Sequence, residues 1–288
     1  MTGGKALGTF RSFYVPAMLV GPATLIVLIP FIASLVVLGV YSVGFYPGGA
    51  GFDLGVWKTF LSDSYSWTVI FTSIRLAVIV TFFCLLIGYP VACALVRLDS
   101  MLMSIIAYTV IFSPLLMSVV VRSYGWLLLL SDSGFLNSLL GAWPLNLGPY
   151  RLIYNEIGVI IALVHILLPF AVLPLITVLL QQPQQLREAA ADLGASPFAI
   201  FWKVTFPLSL PGVIVAAEIV FALAVSAFVT PAVLGGGRVL NLSRLVYENI
   251  GNIEWGLAAV QALILLIAAV GVLLILERFN RRTFGEKS

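Results

Sequence analysis

Long apolar runs, separated by short polar stretches, set the pattern of this chain. They cover residues 17–40, 67–96, 101–121, 157–180, 208–229 and 257–276. Each is close to or above the roughly 20 residues that a helix needs to cross a bilayer. The runs are apolar on every face, so they do not alternate as barrel strands do. The pattern predicts an all-α integral membrane protein with six transmembrane helices, forming one domain over residues 1–288. The end of the third run is ambiguous: Arg122 interrupts it, and Tyr124 to Leu130 is apolar again. That piece reads either as a helix extension or as an interfacial segment. The first run is too long for a signal-peptide core and lacks a small-residue cleavage site, so it is expected to remain as an anchor.

Composition agrees with this pattern. Of 288 residues, 61% are hydrophobic and 9% are charged, against about 25% charged in a soluble domain. A soluble enzyme and a disordered tail are both excluded. The formal charge of +3 is modest, and no basic cluster is dense enough to follow a nucleic-acid backbone. Cys84 and Cys93 lie nine residues apart in one run. That is ~13 Å along a helix, too far for a disulfide.

Positive charge sets the orientation. With the N-terminus inside, the inner segments carry Lys5, Arg11, Arg97, Arg187, Lys203, Arg278, Arg281, Arg282 and Lys287. The outer segments carry Lys58, Arg122, Arg151, Arg238 and Arg244, and Arg75 lies within a span. Nine against five favours both termini on the cytoplasmic side. Trp57, Trp67, Trp126, Trp143 and Trp255 fall at or beyond the outer ends of spans, where amphipathic rings prefer to sit. Pro22, Pro30, Pro90, Pro114, Pro169 and Pro174 lie inside spans, where each removes a backbone hydrogen bond.

Three ionisable groups lie within the runs: Arg75, His165 and Glu218. From the outer ends of their spans they are ~12, ~12 and ~16 Å deep at helical rise. Such groups are costly in a bilayer and are expected to pair or to face a cavity. Glu218 is expected either to pair with Arg75 or to face a pathway. His165 reads first as a packed, hydrogen-bonded residue, and Gln261 as a bond to a neighbouring helix.

The chain lacks a phosphate-binding loop of its own. No His/Cys/carboxylate cluster has metal-ligand spacing. An intramembrane enzyme has no nucleophile–base pair to work with. A self-contained ion-coupled secondary transporter using Arg75, His165 and Glu218 is the alternative reading. Absence of a clear internal repeat weighs against it.

Residues 184–206, between the fourth and fifth runs, form an inner segment with ordered punctuation. Gln184 to Leu193 holds strong helix formers, and Gly194 fits the left-handed residue that ends a helix. Ser196 is a good N-cap and Pro197 suits the first helical position. Phe198 to Val204 then reads as a second short helix, with Pro207 starting the fifth span. Ala189, Ala190 and Ala191 let another surface approach closely, and Arg187, Glu188 and Asp192 can fix register with a partner. An interfacial helix on the inner leaflet explains the same residues equally well.

Glu188-Ala189-Ala190, Gly194 six residues after Glu188, and Val204-Thr205-Phe206-Pro207 resemble the EAA motif of permease subunits of bacterial ABC importers. That motif ends Ile-x-Leu-Pro; Val204 and Phe206 replace Ile and Leu and stay apolar. Gly88-Tyr89-Pro90, Val121-Arg122-Ser123-Tyr124-Gly125-Trp126, Leu168-Pro169-Phe170, and Phe228-Val229-Thr230-Pro231 with Leu234-Gly235-Gly236 look like the spermidine/putrescine-type permeases. The resemblance implies the type I, MetI-like importer architecture in a bacterial inner membrane. It implies a second permease, a different chain, completing the pathway. It also implies two cytoplasmic ATPase subunits and an extracytoplasmic binding protein that delivers a polyamine or related solute. ATP hydrolysis would then fall to a separate subunit. By the same resemblance Arg187, Glu188, Ala189, Ala190, Asp192, Leu193 and Gly194 form the ATPase-coupling element. Glu188 would anchor it, Leu193 would pack in a groove and Gly194 would supply the turn.

The outer loops are then expected to meet the binding protein, with Asp132, Asn137, Glu248 and Glu254 as candidate contacts. Solvated connectors rich in Gly and Pro would look similar. Five basic and six acidic outer residues nearly balance, so charge alone does not steer a polyamine.

Overall fold

The computed structural model describes residues 5–49, 51–141 and 150–284. All regular structure among the described residues is helical. Five unbroken helical stretches are long and apolar enough to cross a membrane. They are residues Thr24–Ser42 of α1 (Lys5–Ser42), α3 (Ser64–Val96), α7 (Glu156–Gln181), the run Pro197–Ser226, and Trp255–Arg278 of α13 (Trp255–Phe284). Short helices α2 (Gly55–Ser62) and α12 (Leu242–Gly251) lie before α3 and α13 respectively.

The third crossing is not the straight helix expected over 101–121. It is a bent pair, Met101–Leu116 followed by Val119–Gly141, turned by 107°. α4 (Met101–Phe112) tightens into a 3-10 turn at Ser113–Leu116 with Pro114 buried in it, and Met117 is extended. α5 (Val119–Leu130) and α6 (Phe135–Gly141) follow. Proline lacks the N–H that an α-helix would use here, so Pro114 supplies a physical cause for the stop. Pro90, Pro169 and Pro174 stay inside continuous helices.

α3, α7 and α10 (Phe206–Ser226) form the centre. Leu76, Ala77 and Val80 of α3 meet Ala162, Leu163 and Ile166 of α7 and Val220, Phe221 and Ala224 of α10. Lipid tails are as apolar as leucine, so close packing rather than water exclusion holds such helices together. Small residues make that packing possible. A Cβ on Gly212 would lie 2.8 Å from Val178 Cγ2, and one on Gly88 would lie 3.3 Å from Ala171 Cβ. The helix starts are capped: Asp63 accepts from the N–H groups of Tyr65 and Ser66, and Asn155 accepts from that of Gly158. α1 leans chiefly on α13, and the 24–42 stretch leaves most of its surface uncovered within this chain.

The fifth crossing also differs from its expected start at 208. α9 (Pro197–Ile200), a π-helical turn over Phe201–Thr205, and α10 run on without a break. Pro207 directly follows the π-helical turn inside this continuous helix, where it has no N–H to donate to the preceding turn. At its outer end α10 stops at Ser226, Ala227 is extended, and α11 (Val229–Leu234) follows. Asn241 Nδ2 and Ser243 Oγ donate to the freed carbonyl of Ala227 at 2.7 and 2.8 Å.

Candidate coupling segment and pathway

α8 (Gln184–Asp192) ends as its sequence predicts. Gly194 sits at φ +80°, and the N–H groups of Ala195 and Gly194 donate to the carbonyls of Ala190 and Ala191. This is the Schellman arrangement that needs a left-handed residue. Ser196 Oγ accepts from Ala199 N–H at 3.3 Å, and Pro197 opens the next helix. Residues 184–196 thus form one rigid turn of chain between α7 and the fifth crossing.

The candidate coupling residues do not share one face. Glu188, Ala189, Asp192, Leu193 and Gly194 are exposed. Leu193 is 89% exposed, and Phe198 and Trp202 extend that apolar surface at 73% and 50%. Gln184 Nε2 donates to Glu188 Oε1 at 2.7 Å and holds the carboxylate against the helix. Ala190 and Arg187 are half-buried. Arg187 turns inward, with Nε buried and unpartnered beside Cys93, Arg97 and Thr205.

The helix that follows is tied down. Tyr89 of α3 packs edge-on against Phe201 and Phe206, and its hydroxyl meets Ser209 Oγ at 2.7 Å. Gln182 Nε2, at the end of α7, donates to the carbonyl of Thr205 at 3.0 Å and ties α7 to the π-helical turn.

The three intramembrane groups have three different surroundings. Arg75 does not pair with Glu218; it bonds Glu156, the first residue of α7. α3 has 33 residues, ~50 Å at helical rise, and overshoots a ~30 Å core. Arg75 thus reaches the outer end of α7 and is less deep than counting from Trp67 suggests. His165 accepts from Trp126 Nε1–H at 3.1 Å through Nδ1. Both line an apolar groove of about 520 Å3 with Phe83 and Ile160. Trp126 on α5 thus meets His165 through both a hydrogen bond and an edge-on ring contact. Glu218 is half-buried, within electrostatic reach of Glu277 on α13, and its Oε1 is buried without a partner. Gln261 accepts from Asn249 Nδ2 at 2.8 Å, joining α13 to α12.

Two outer candidates are occupied within the chain. Asn137 is buried; Nδ2 donates to the carbonyls of Ser131 and Tyr150, and Oδ1 accepts from Tyr150 N–H, each at 3.0 Å. It holds a loop together and is unavailable as a contact. Glu248 pairs with Arg244 one turn earlier on α12. Asp132 and Glu254 are exposed. Trp143 and the rest of 142–149 lie outside the described residues.

Arg122, expected among the outer cations and part of a permease-like motif, is buried instead. It is 9% exposed on α5, with Nε and Nη1 buried and unpartnered. Its isolation between Val121 and the apolar stretch from Tyr124 was the available signal. Ser123 and Thr230, one from each of two permease-like motifs, meet through their hydroxyls at 3.0 Å and join α5 to α11.

The comparisons with known proteins agree with one another. A family model described as "binding-protein-dependent transport system inner membrane component" matches residues 6–284. The spermidine/putrescine transport system permease protein PotB of Escherichia coli is 33% identical over 224 residues, 77% of this chain and 81% of that protein. PotB of Haemophilus influenzae is 35% identical over 178 residues, 62% of each chain. A structure of a bacterial alginate ABC transporter, in complex with an alginate-bound periplasmic protein, contains a chain that superposes with a TM-score of 0.79 at 17% identity. That match covers 97% of this chain and 98% of the other. A chain of the MetNI methionine ABC transporter gives a TM-score of 0.55 at 20% identity, over 77% and 96%.

Proposed function

Because this chain belongs to the inner-membrane components of binding-protein-dependent transport systems, we propose that it is one of two permeases lining the pathway of an ATP-driven importer. The second permease is a different, related chain. A cytoplasmic ATPase, present in two copies, docks on residues 184–206 and supplies the hydrolysis that this chain lacks. An extracytoplasmic binding protein delivers the solute, and Asp132 and Glu254 belong to the surface that receives it. Both termini lie on the cytoplasmic side, in keeping with the positive-charge bias. A polyamine or a related small amine is the solute, a reading that rests on the PotB relatives.

The observation that carries this reading is the construction of the coupling segment. An exposed apolar tip, Leu193, with Glu188 on the same helix, is joined through a fixed turn to a membrane helix without a break. Ordered apolar surface of that kind fits a partner's docking site. A stiff joint is needed because a lever that bends locally cannot pass ATPase closure to the spans. The ion-coupled alternative gains nothing here, because Arg75, His165 and Glu218 each have separate surroundings.

Co-purification tests the reading. The tagged chain, drawn gently from native membranes, is expected to bring an ATPase, a second permease and a binding protein. A chain that purifies alone and still transports would overturn it.

A further inference from the structure

Two interrupted helices meet around Arg122. One break is Met117–Ser118, after the bend of the third crossing; the other is Ala227–Phe228, between α10 and α11. Irregular backbone at membrane depth is tolerated where it lies inside protein or lines a cavity. A cavity of about 280 Å3 does lie there, lined by Arg122, Leu163, Leu223, Ser226, Phe228 and Thr230 among others. Arg122 is its only charged group.

The cavity's own polar groups are engaged elsewhere. Ser226 Oγ donates to the carbonyl of Ala222 at 2.9 Å, and Thr230 Oγ1 bonds Ser123. Glu156 is on Arg75. The C-terminal end of α10 faces the cavity through Ser226 and Ala227 and offers the guanidinium only about half a negative charge. A buried cation with nitrogens left unpaired is strongly unfavourable. The geometry therefore calls for a full anion from outside this chain.

We infer that Arg122 receives a carboxylate side chain from the second permease, so that an ion pair between the two subunits closes this level of the pathway. The inference rests on the importer reading above. A cationic solute is repelled by a guanidinium, so the solute itself is a poor source of the anion. Only about a tenth of the Arg122 surface is open, so the partner group must enter through the rim at Ser226 and Phe228, both exposed. Pairing neutralises the charge that a passing cation would meet, and separating the subunits exposes it again.

The complete importer, reconstituted with its binding protein and ATP, provides the test. Wild-type ATP-driven uptake is the control for the importer reading; if it is absent, that reading has failed. Given it, Arg122→Glu is expected to lower uptake by more than about tenfold. Changes that restore growth on the solute are expected to convert an acidic residue of the second permease to Lys or Arg. Wild-type uptake by Arg122→Glu, a changed choice of solute, or restoring changes confined to this chain would overturn the inference. Should Arg122→Glu fail to assemble, a photo-crosslinking benzoylphenylalanine placed at Ser226 in the otherwise wild-type importer keeps the question open to test. Crosslinks to the second permease are expected; crosslinks to lipid alone would overturn it.

Discussion

The hydroxyl of Tyr89 on α3 lies 2.7 Å from Ser209 Oγ on α10, while its ring packs against Phe201 and Phe206. One side chain thus anchors the helix that leaves the coupling segment to the centre of the bundle. Tyr89→Phe keeps the ring and removes the bond, worth about 1 kcal/mol net. The expected result is an assembled importer whose ATPase is stimulated several-fold less by the loaded binding protein. Unchanged stimulation would show that this bond does not stiffen the joint.

Glu188→Lys reverses the exposed charge in the middle of α8 and gives up only the surface bond from Gln184. The chain is expected to insert and to keep its second permease, while coupled uptake is abolished. Wild-type uptake by this variant would remove Glu188 from the docking surface.

Gly194 has open space around its missing Cβ, so its only constraint is φ +80°. Gly194→Val places a β-branched residue in the left-handed region, a cost of roughly 1–2 kcal/mol. Coupling is expected to fall while Gly194→Asn, which tolerates that region, stays close to wild type. Equal activity of the two variants would mean that the turn is not held rigid in the assembled importer.

Gly212→Ala drives a methyl to 2.8–2.9 Å from the Val178 side chain. α10 and α7 must part slightly, at about 1–3 kcal/mol. A lower unfolding midpoint in detergent is expected, and an unchanged midpoint would contradict the close approach of these helices.

Asn137→Ala distinguishes a structural role from a contact role. It strands acceptors and a donor around Ser131 and Tyr150, costing about 1–3 kcal/mol. The loop is expected to loosen, read as faster proteolysis between α5 and α7. At temperatures where the fold persists, affinity for the binding protein is expected to stay the same. A selective loss of affinity would return Asn137 to the contact surface.

These residues also show where the sequence was informative. Local rules located the Gly194 turn, the Ser196 cap and the Pro197 start, because each depends on a single residue's backbone or side chain. Apolar run length pointed to the long helices because it depends only on local composition. Partnerships across the bundle were not legible. Arg75 was expected opposite Glu218 because both are charges in spans of similar counted depth. The length of α3 instead brings Arg75 to Glu156. Asn137 looked like an outer-loop contact, since composition does not show a side chain folded back on its own loop. The burial of Arg122 depends on the same long-range packing.

The most direct measurement is uptake of labelled spermidine into vesicles containing the assembled importer, with binding protein outside the substrate-facing surface and ATP on the side of residues 184–206. The account predicts uptake that requires hydrolysable ATP, persists when ion gradients are collapsed, and is lost with Glu188→Lys. Uptake that proceeds without ATP and stops when the ion gradient is collapsed would contradict it.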